Sequence, residues 1–145
     1  MPLHQIREME PDDRPRVVRI WLDGWRATGL TALADPSEQE LRERLEREGW
    51  RVRVARDGGG IGGFVAFAPE SRQLWQLFVD PPRQGTGVGT ALLDDVKCHM
   101  PAGFWLRTAA DNLPARRFYE HRGLRLDGVR PRPDTRDMVA IYVWP

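Results

Sequence analysis

The chain has 145 residues, with 22 basic and 21 acidic side chains and a net charge of +1. That length fits one domain of about 100–200 residues and excludes a second substrate lobe. A hydrophobic share of 41% and a charged share of 30% exclude wholesale disorder. The near-neutral balance speaks against a nucleic-acid binder, which carries a basic face.

Cys98 is the sole cysteine, so no intrachain disulfide forms, and no metal-ligand cluster is apparent. A reducing cytoplasm fits this usage. No run approaches the ~18 apolar residues of a membrane span, and Met1 to Glu10 carries no apolar leader core. Lys97 is the only lysine among the basic residues, which reads mainly as codon bias.

Leu3 to Arg7 reads as a short strand. Asp12 or Asp13 can cap a helix in which Val17, Ile20, Trp21, Gly24 and Trp25 recur at spacings of three and four. Ser37 and Glu40 form a capping-box pattern before a second helix with Leu41 and Leu45 as its seam and Gly49 at its end. The period then falls to two. Trp50, Val52 and Val54 mark a strand, Asp57 to Gly60 a turn, and Ile61 to Ala68 the returning strand. Leu74 to Val79 is a third strand closed by Pro81 and Pro82. Thr90 to Met100 is a helix, Phe104 to Arg107 a strand, and Asn112 to His121 a helix ended by Gly123. Leu124 to Val129 and Met138 to Trp144 complete the order. This is a mixed α/β single domain with a central meander, not a βαβ repeat.

Two glycine clusters compete for a chemical role. Gly58 to Gly63 formally contains a dinucleotide fingerprint, but Phe64 to Phe67 after it read as strand, where that motif needs a helix. It reads as a hairpin turn, with Gly62 and Gly63 marking a bulge or a close backbone approach. Gln84-Gly85-Thr86-Gly87-Val88-Gly89-Thr90 instead follows a strand and opens a helix. That context aims free N–H groups and the positive end of the helix dipole at one spot, which favours phosphate. A flexible turn is the plain alternative. No Gly-Lys-Ser/Thr ending is present, so a nucleotide P-loop is a poor reading.

The segment from Leu77-Phe78-Val79 through Pro81 to Gln84-Gly85-Thr86-Gly87-Val88-Gly89 resembles the GNAT superfamily of acyl-CoA-dependent N-acyltransferases. A second block, Asn112 with Ala115, Phe118, Tyr119, Gly123 and Leu124, is similar to that family's other signature, with Leu124 in place of an aromatic residue. The element order agrees over essentially the whole chain. The resemblance implies a mostly antiparallel central sheet, splayed at the cofactor site and flanked by helices. It implies acetyl-CoA as co-substrate and direct attack by a primary amine of a small molecule or peptide.

In such proteins the amides of residues 84–90 hold the pyrophosphate, and the pantetheine arm lies along Leu77, Phe78 and Val79 like an added strand. The Val79 N–H would polarise the thioester carbonyl. Tyr119 would protonate the departing thiolate; its plain alternative is a core tyrosine beside Phe118. Asn112 would contact the pantetheine arm and also suits a helix cap. Cys98 is expected to be an ordinary thiol.

Histone-type members place a glutamate near the start of the central strand, where this chain has Gln73 and Gln76. Asp23, Glu70 and Asp111 remain as carboxylate candidates for a base, beside a water chain; His99 and His121 read as surface residues. The acceptor pocket is expected among Trp21, Trp25, Leu30, Trp75 and the 130–137 loop, where Arg132 and Arg136 can meet an acidic group or stay solvated. Trp21 and Trp25 serve either the core or a cation–π contact. A non-catalytic CoA-binding module on the same fold is the alternative to an enzyme. The apolar run Met138 to Trp144 fits burial on both faces or a homodimer.

Overall fold

The computed structural model describes residues 4–30, 36–133 and 137–145. The elements are β1 (Gln5–Glu8), α1 (Arg14–Ala27), α2 (Glu38–Arg47), β2 (Arg51–Asp57), β3 (Gly60–Ala68), β4 (Gln73–Val79), α3 (Val88–His99), β5 (Phe104–Ala109), α4 (Leu113–His121), β6 (Arg125–Pro131) and β7 (Met138–Trp144). They follow the order expected from the periodicity. Arg136 and part of the loop between α1 and α2 lie outside the described residues.

Local chemistry sets the element ends. The Ser37 hydroxyl accepts the Glu40 N–H at 3.1 Å and starts α2. Asp13 stands before α1, but its carboxylate is spent elsewhere: it accepts the Glu10 N–H at 2.8 Å and a two-pronged bond from Arg7. Those contacts hold the Asp13 carboxyl below the usual carboxylate range, chiefly through Arg7.

One seven-stranded sheet runs β1-β2-β3-β4-β5-β7-β6. All pairs are antiparallel except β4 with β5, which the α3 crossover makes parallel. On one face α3 and α4 cover a core that includes Leu92, Leu93, Val96, Phe104, Leu106 and Tyr142. On the other, α1 and α2 cover Val52, Val54, Phe64 and Ala66. Gly24 brings α1 onto β4: a Cβ there would lie 2.6 Å from the Phe78 ring.

β7 lies between β5 and β6, which accounts for its apolar run. Ala140 and Tyr142 are buried toward the helices, while Val139, Ile141 and Val143 face a shallow shelf of about 490 Å³ that Trp105 and Arg107 share.

β4 carries a bulge. Gln76 pairs Ala66 and Leu74 pairs Phe67, so Trp75 is the extra residue between them. The bulge shifts the alternation. Leu74, Leu77 and Val79 meet the α3/α4 core, and Trp75 and Phe78 meet the α1/α2 core.

Phe64 is fully buried between Trp21 at 6.0 Å and Phe78 at 6.1 Å. Phe64→Ala is expected to lower unfolding free energy by about 3–5 kcal/mol, measured by urea titration. A loss below about 1 kcal/mol would show that this ring is not a keystone between α1 and the sheet.

Candidate active site

The parallel pair β4/β5 makes the site. The two strands share one register pair, Gln73 with Trp105, supported by Trp105 N–H donating to Arg72 O at 2.9 Å. β3/β4 and β5/β7 each hold six register pairs. So β4 and β5 touch at their starts and part toward Val79 and Ala109.

The edge of β4 facing this opening is unpaired along most of its length. Asp80 N–H donates to Gly62 O at 2.8 Å, on the β3 side. Alternation along a strand then turns the Val79 N–H the other way, into the opening. The Val79 carbonyl on that edge accepts from the Gln84 side chain at 3.4 Å.

The glycine loop lies just past Val79. Gly85 and Gly87 take left-handed φ values of 81° and 93°, which a side chain would resist. Gly87 is the N-cap of α3 and offers no side-chain acceptor, so the N–H groups of the first helical turn keep their donors. Ala91 N–H is the first to close inside the helix, onto Gly87 O at 3.0 Å. A Cβ on Gly89 would lie 3.1 Å from the Phe118 ring. The Thr90 hydroxyl accepts from Arg122 at 2.8 Å, which leaves both its O–H and its backbone N–H as donors to a phosphate. The Arg122 guanidinium also lies 3.9 Å over Phe118 and ties α4 to the start of α3.

The other glycine cluster proves to be the hairpin turn between β2 and β3, and it supports the loop. Arg83 crosses it, donating to Ile61 O at 2.8 Å and to Asp57 at 3.1 Å. A Cβ at Gly62 would strike the Arg83 side chain at 2.5 Å. The spacing that imitates a dinucleotide motif is thus the seat of the arginine that anchors the phosphate-type loop.

Tyr119 is 7% exposed on α4 and lines the cleft. Its hydroxyl makes no hydrogen bond to protein among the described residues. Burial pushes its phenol far above the ordinary value near 10, so it stays protonated at working pH and serves as a donor, not a base. Tyr142, 6.2 Å away ring to ring, is committed to structure: its hydroxyl donates to Glu120 and accepts from Arg116 at 3.0 Å. Asn112 caps α4 by accepting Ala115 N–H at 3.3 Å, and it too lines the cleft.

The cleft measures about 1300 Å³ and runs from Tyr119 and the β4 edge to α1 and α2. Trp21, Trp25, Leu30 and Trp75 all line it. Trp21 is 4% exposed and stands mostly in the core, 6.0 Å from Trp50, which in turn stacks on Trp75 at 5.6 Å. Arg132 lines the cleft as well. Of the three carboxylate candidates for a base, Asp111 alone lines it, at the exposed rim; Asp23 faces Arg19 on α1 at 3.4 Å. His99 is bound to Asp95 O on α3, and Cys98 is exposed.

Sequence reasoning passed over Arg44 and Arg107, which also line the cleft. Arg44 lies over Trp21 at 5.5 Å and Trp50 at 5.1 Å, and Arg107 over Trp75 at 5.9 Å. The available signal was weak: Arg44 interrupts the apolar seam of α2 one residue before Leu45, and Arg107 stands in an apolar strand. Among the described residues no group of acidic, histidine or cysteine side chains could hold a metal ion, and no helix is long and apolar enough to cross a membrane.

The profile of the acetyltransferase (GNAT) family matches residues 6–124. Solved structures agree in fold. The solution structure of apo YjaB from Escherichia coli is 22% identical with a TM-score of 0.79, covering 98% of this chain and 97% of that one. The ribosomal-protein-S18-alanine N-acetyltransferase from Escherichia coli is 22% identical with a TM-score of 0.75, covering 99% and 94%. The protein yncA from Salmonella typhimurium, solved with its cofactor acetyl-CoA, is 16% identical with a TM-score of 0.73, covering 97% and 92%. No curated protein sequence gives a significant match.

Gly89→Val would press on Phe118 and close the amide cradle. Acetyl-CoA affinity is expected to fall by about tenfold or more, equivalent to ~1.4 kcal/mol, read by isothermal titration. Unchanged affinity would place the phosphates elsewhere.

Proposed function

This chain belongs to the acetyltransferase (GNAT) family, whose co-substrate is acetyl-CoA, and from that membership we propose that it transfers the acetyl group to a primary amine within a ternary complex. The observation that carries this reading is the wedge between β4 and β5, with an unpaired strand edge on one side and a buried, protonated tyrosine on the other.

In this reading the amides of residues 84–90 bind the donor's pyrophosphate, and the exposed edge of Leu77, Phe78 and Val79 bonds its pantetheine arm as an added strand. Val79 N–H donates to the thioester oxygen, where negative charge grows as the amine adds. The amine nitrogen forms a bond to the acetyl carbon, and the carbon–sulfur bond breaks with its electron pair on sulfur. Tyr119 donates to that sulfur, and Asn112 holds the arm from the α4 side. The ammonium proton leaves to water at the open rim, where Asp111 is the nearest of the candidate carboxylates. Trp21, Trp25 and Trp75 form the floor and wall against which the acceptor lies.

Gln73 and Gln76 favour a second reading, a CoA-binding module without catalysis, since neither accepts a proton. One variant separates the two. Tyr119→Phe is expected to lower kcat by about a hundredfold, the low end for a lost general acid, while acetyl-CoA affinity changes less than about threefold. An unchanged kcat would remove Tyr119 from the chemistry. Acetyl-CoA binding without turnover on any amine would favour the module.

The raised phenol also fixes a sign. A group whose value is raised keeps its proton until pH exceeds that raised value, so Tyr119 causes no alkaline loss of activity below pH ~10. A kcat profile from pH 6 to 10 should show only the acid limb of amine deprotonation. An alkaline limb present in wild type and absent in Tyr119→Phe would contradict the raised value while keeping Tyr119 in the chemistry.

A further inference from the structure

The cleft beyond the wedge carries both signs of charge at its rim, where Arg47 and Arg132 are exposed, and only cations below it. Its carboxylates, Glu40, Glu43, Asp111 and Asp137, are all exposed. Its two half-buried charges, Arg44 and Arg107, are both cations. Arg44 is laid over the indoles of Trp21 and Trp50, and Arg107 over that of Trp75. Trp50 and Trp75 are stacked on one another, so both guanidiniums border one aromatic tier.

These cations are poorly matched by acids. The carboxylate beside Arg44 is Glu48, 3.9 Å away, and Glu48 is also shared with Arg47 at 3.5 Å. Arg107 has no ion pair or side-chain hydrogen bond among the described residues. Burial lowers the Arg44 guanidinium from its ordinary value; Glu48 opposes this, and Arg47, also on α2, and Arg132 add to it. An arginine keeps its proton in such a setting, so what the site lacks is an anion. Deep in the same cleft, the Gln73 side-chain amide makes no hydrogen bond to protein among the described residues and opens onto the cleft, where it can meet a ligand.

Donor phosphates do not meet this need. The glycine loop takes no part in lining this cleft, which is bounded by α1, α2, Gln73 to Phe78 of β4, β5, α4, Arg132 and residues 137–139. We propose that this cleft selects an amine that also carries a carboxylate, with Arg44, Arg107 and Arg132 receiving the carboxylate while the amine points into the β4/β5 wedge. The planar guanidinium fork matches a carboxylate in two parallel bonds, and the indoles give the carbon skeleton an apolar floor. The exposed acids at the rim turn away free anions that lack an amine and favour a zwitterion. This rests on the acetyl-transfer reading above, and the experiment keeps the two apart.

Two readouts are run on the same matched ligands. The first is the rate of CoA release with amines paired as carboxylate and carboxamide: amino acids against amino-acid amides, and acidic dipeptides against their amidated forms, with an aminoalkyl phosphate as a third arm. The second is the rise in Tm given by the N-acetylated carboxylate or carboxamide product in the presence of CoA, which needs no turnover. The proposal expects kcat/KM for the carboxylate to exceed that of the carboxamide by about tenfold or more, and the acidic product alone to raise Tm.

Arg107→Gln and Arg132→Gln should each pull that ratio toward one through KM, with kcat and acetyl-CoA affinity little changed. Arg44→Gln also uncovers Trp21 and Trp50, so Arg44→Lys is run beside it; retention of the preference in the lysine variant and its loss in the glutamine variant assign the effect to charge. Protection by the acidic product with no turnover on any amine would uphold the anion site and reject acetyl transfer. Equal rates and equal protection for both members of each pair would overturn the proposal. So would a preference for the phosphate arm over the carboxylate arm, or loss of rate on both members alike in the arginine variants.

Discussion

Two parallel strands that pair once and then separate are the constraint from which the rest of this protein follows. β4 and β5 meet at Gln73 and Trp105 and part beyond them. A buried strand edge without partners is costly, because each free N–H and C=O loses water and gains nothing. In the proposed reading, a ligand with amide groups of its own completes this edge. The crossover through α3 makes the pair parallel, and the bulge at Trp75 re-aims the strand as it opens. The same crossover puts the N-terminus of α3 beside the end of β4, so the strand edge and the amide cradle are neighbours.

The two sides of the site are built from different materials. The donor side is mostly backbone: unpaired N–H groups of β4, the glycine loop and the first turn of α3. Backbone geometry depends little on residue identity apart from the glycines, which is why proteins under 25% identical can share this fold. The acceptor side is made of side chains on α1, α2, β5 and the β6–β7 loop. In the proposed reading, the arginines and tryptophans there decide which acceptor binds. Arg83, seated across the β2–β3 turn, links the cradle to the part of the sheet that lies farthest from the acceptor.

Element order was legible from periodicity because most helices and strands bury one face each. The glycine loop was legible because only a strand-to-helix context gives Gly85 and Gly87 a joint purpose. The splay came only through the family resemblance: by themselves, Leu74 to Val79 do not distinguish a strand paired on both edges from one paired on one. The bulge escaped for the same reason, since an apolar run masks a shift in alternation. Tyr119 stood out through its motif, whereas Arg44 and Arg107 look like ordinary surface arginines until the fold stacks them on indoles. The helix cap expected of Asp12 or Asp13 also shows how other contacts intervene, as Arg7 and the Glu10 N–H take the Asp13 carboxylate.

The most direct test follows the backbone amides of β4 by ¹⁵N NMR and hydrogen exchange as acetyl-CoA is added. The Val79 N–H should shift strongly and gain protection together with the 85–90 amides, while Asp80, already bonded to Gly62, changes little. A loop that responds while Val79 keeps its free shift and exchange rate would show that the opening between β4 and β5 is not where the acyl donor is held, and the account would fail at its centre.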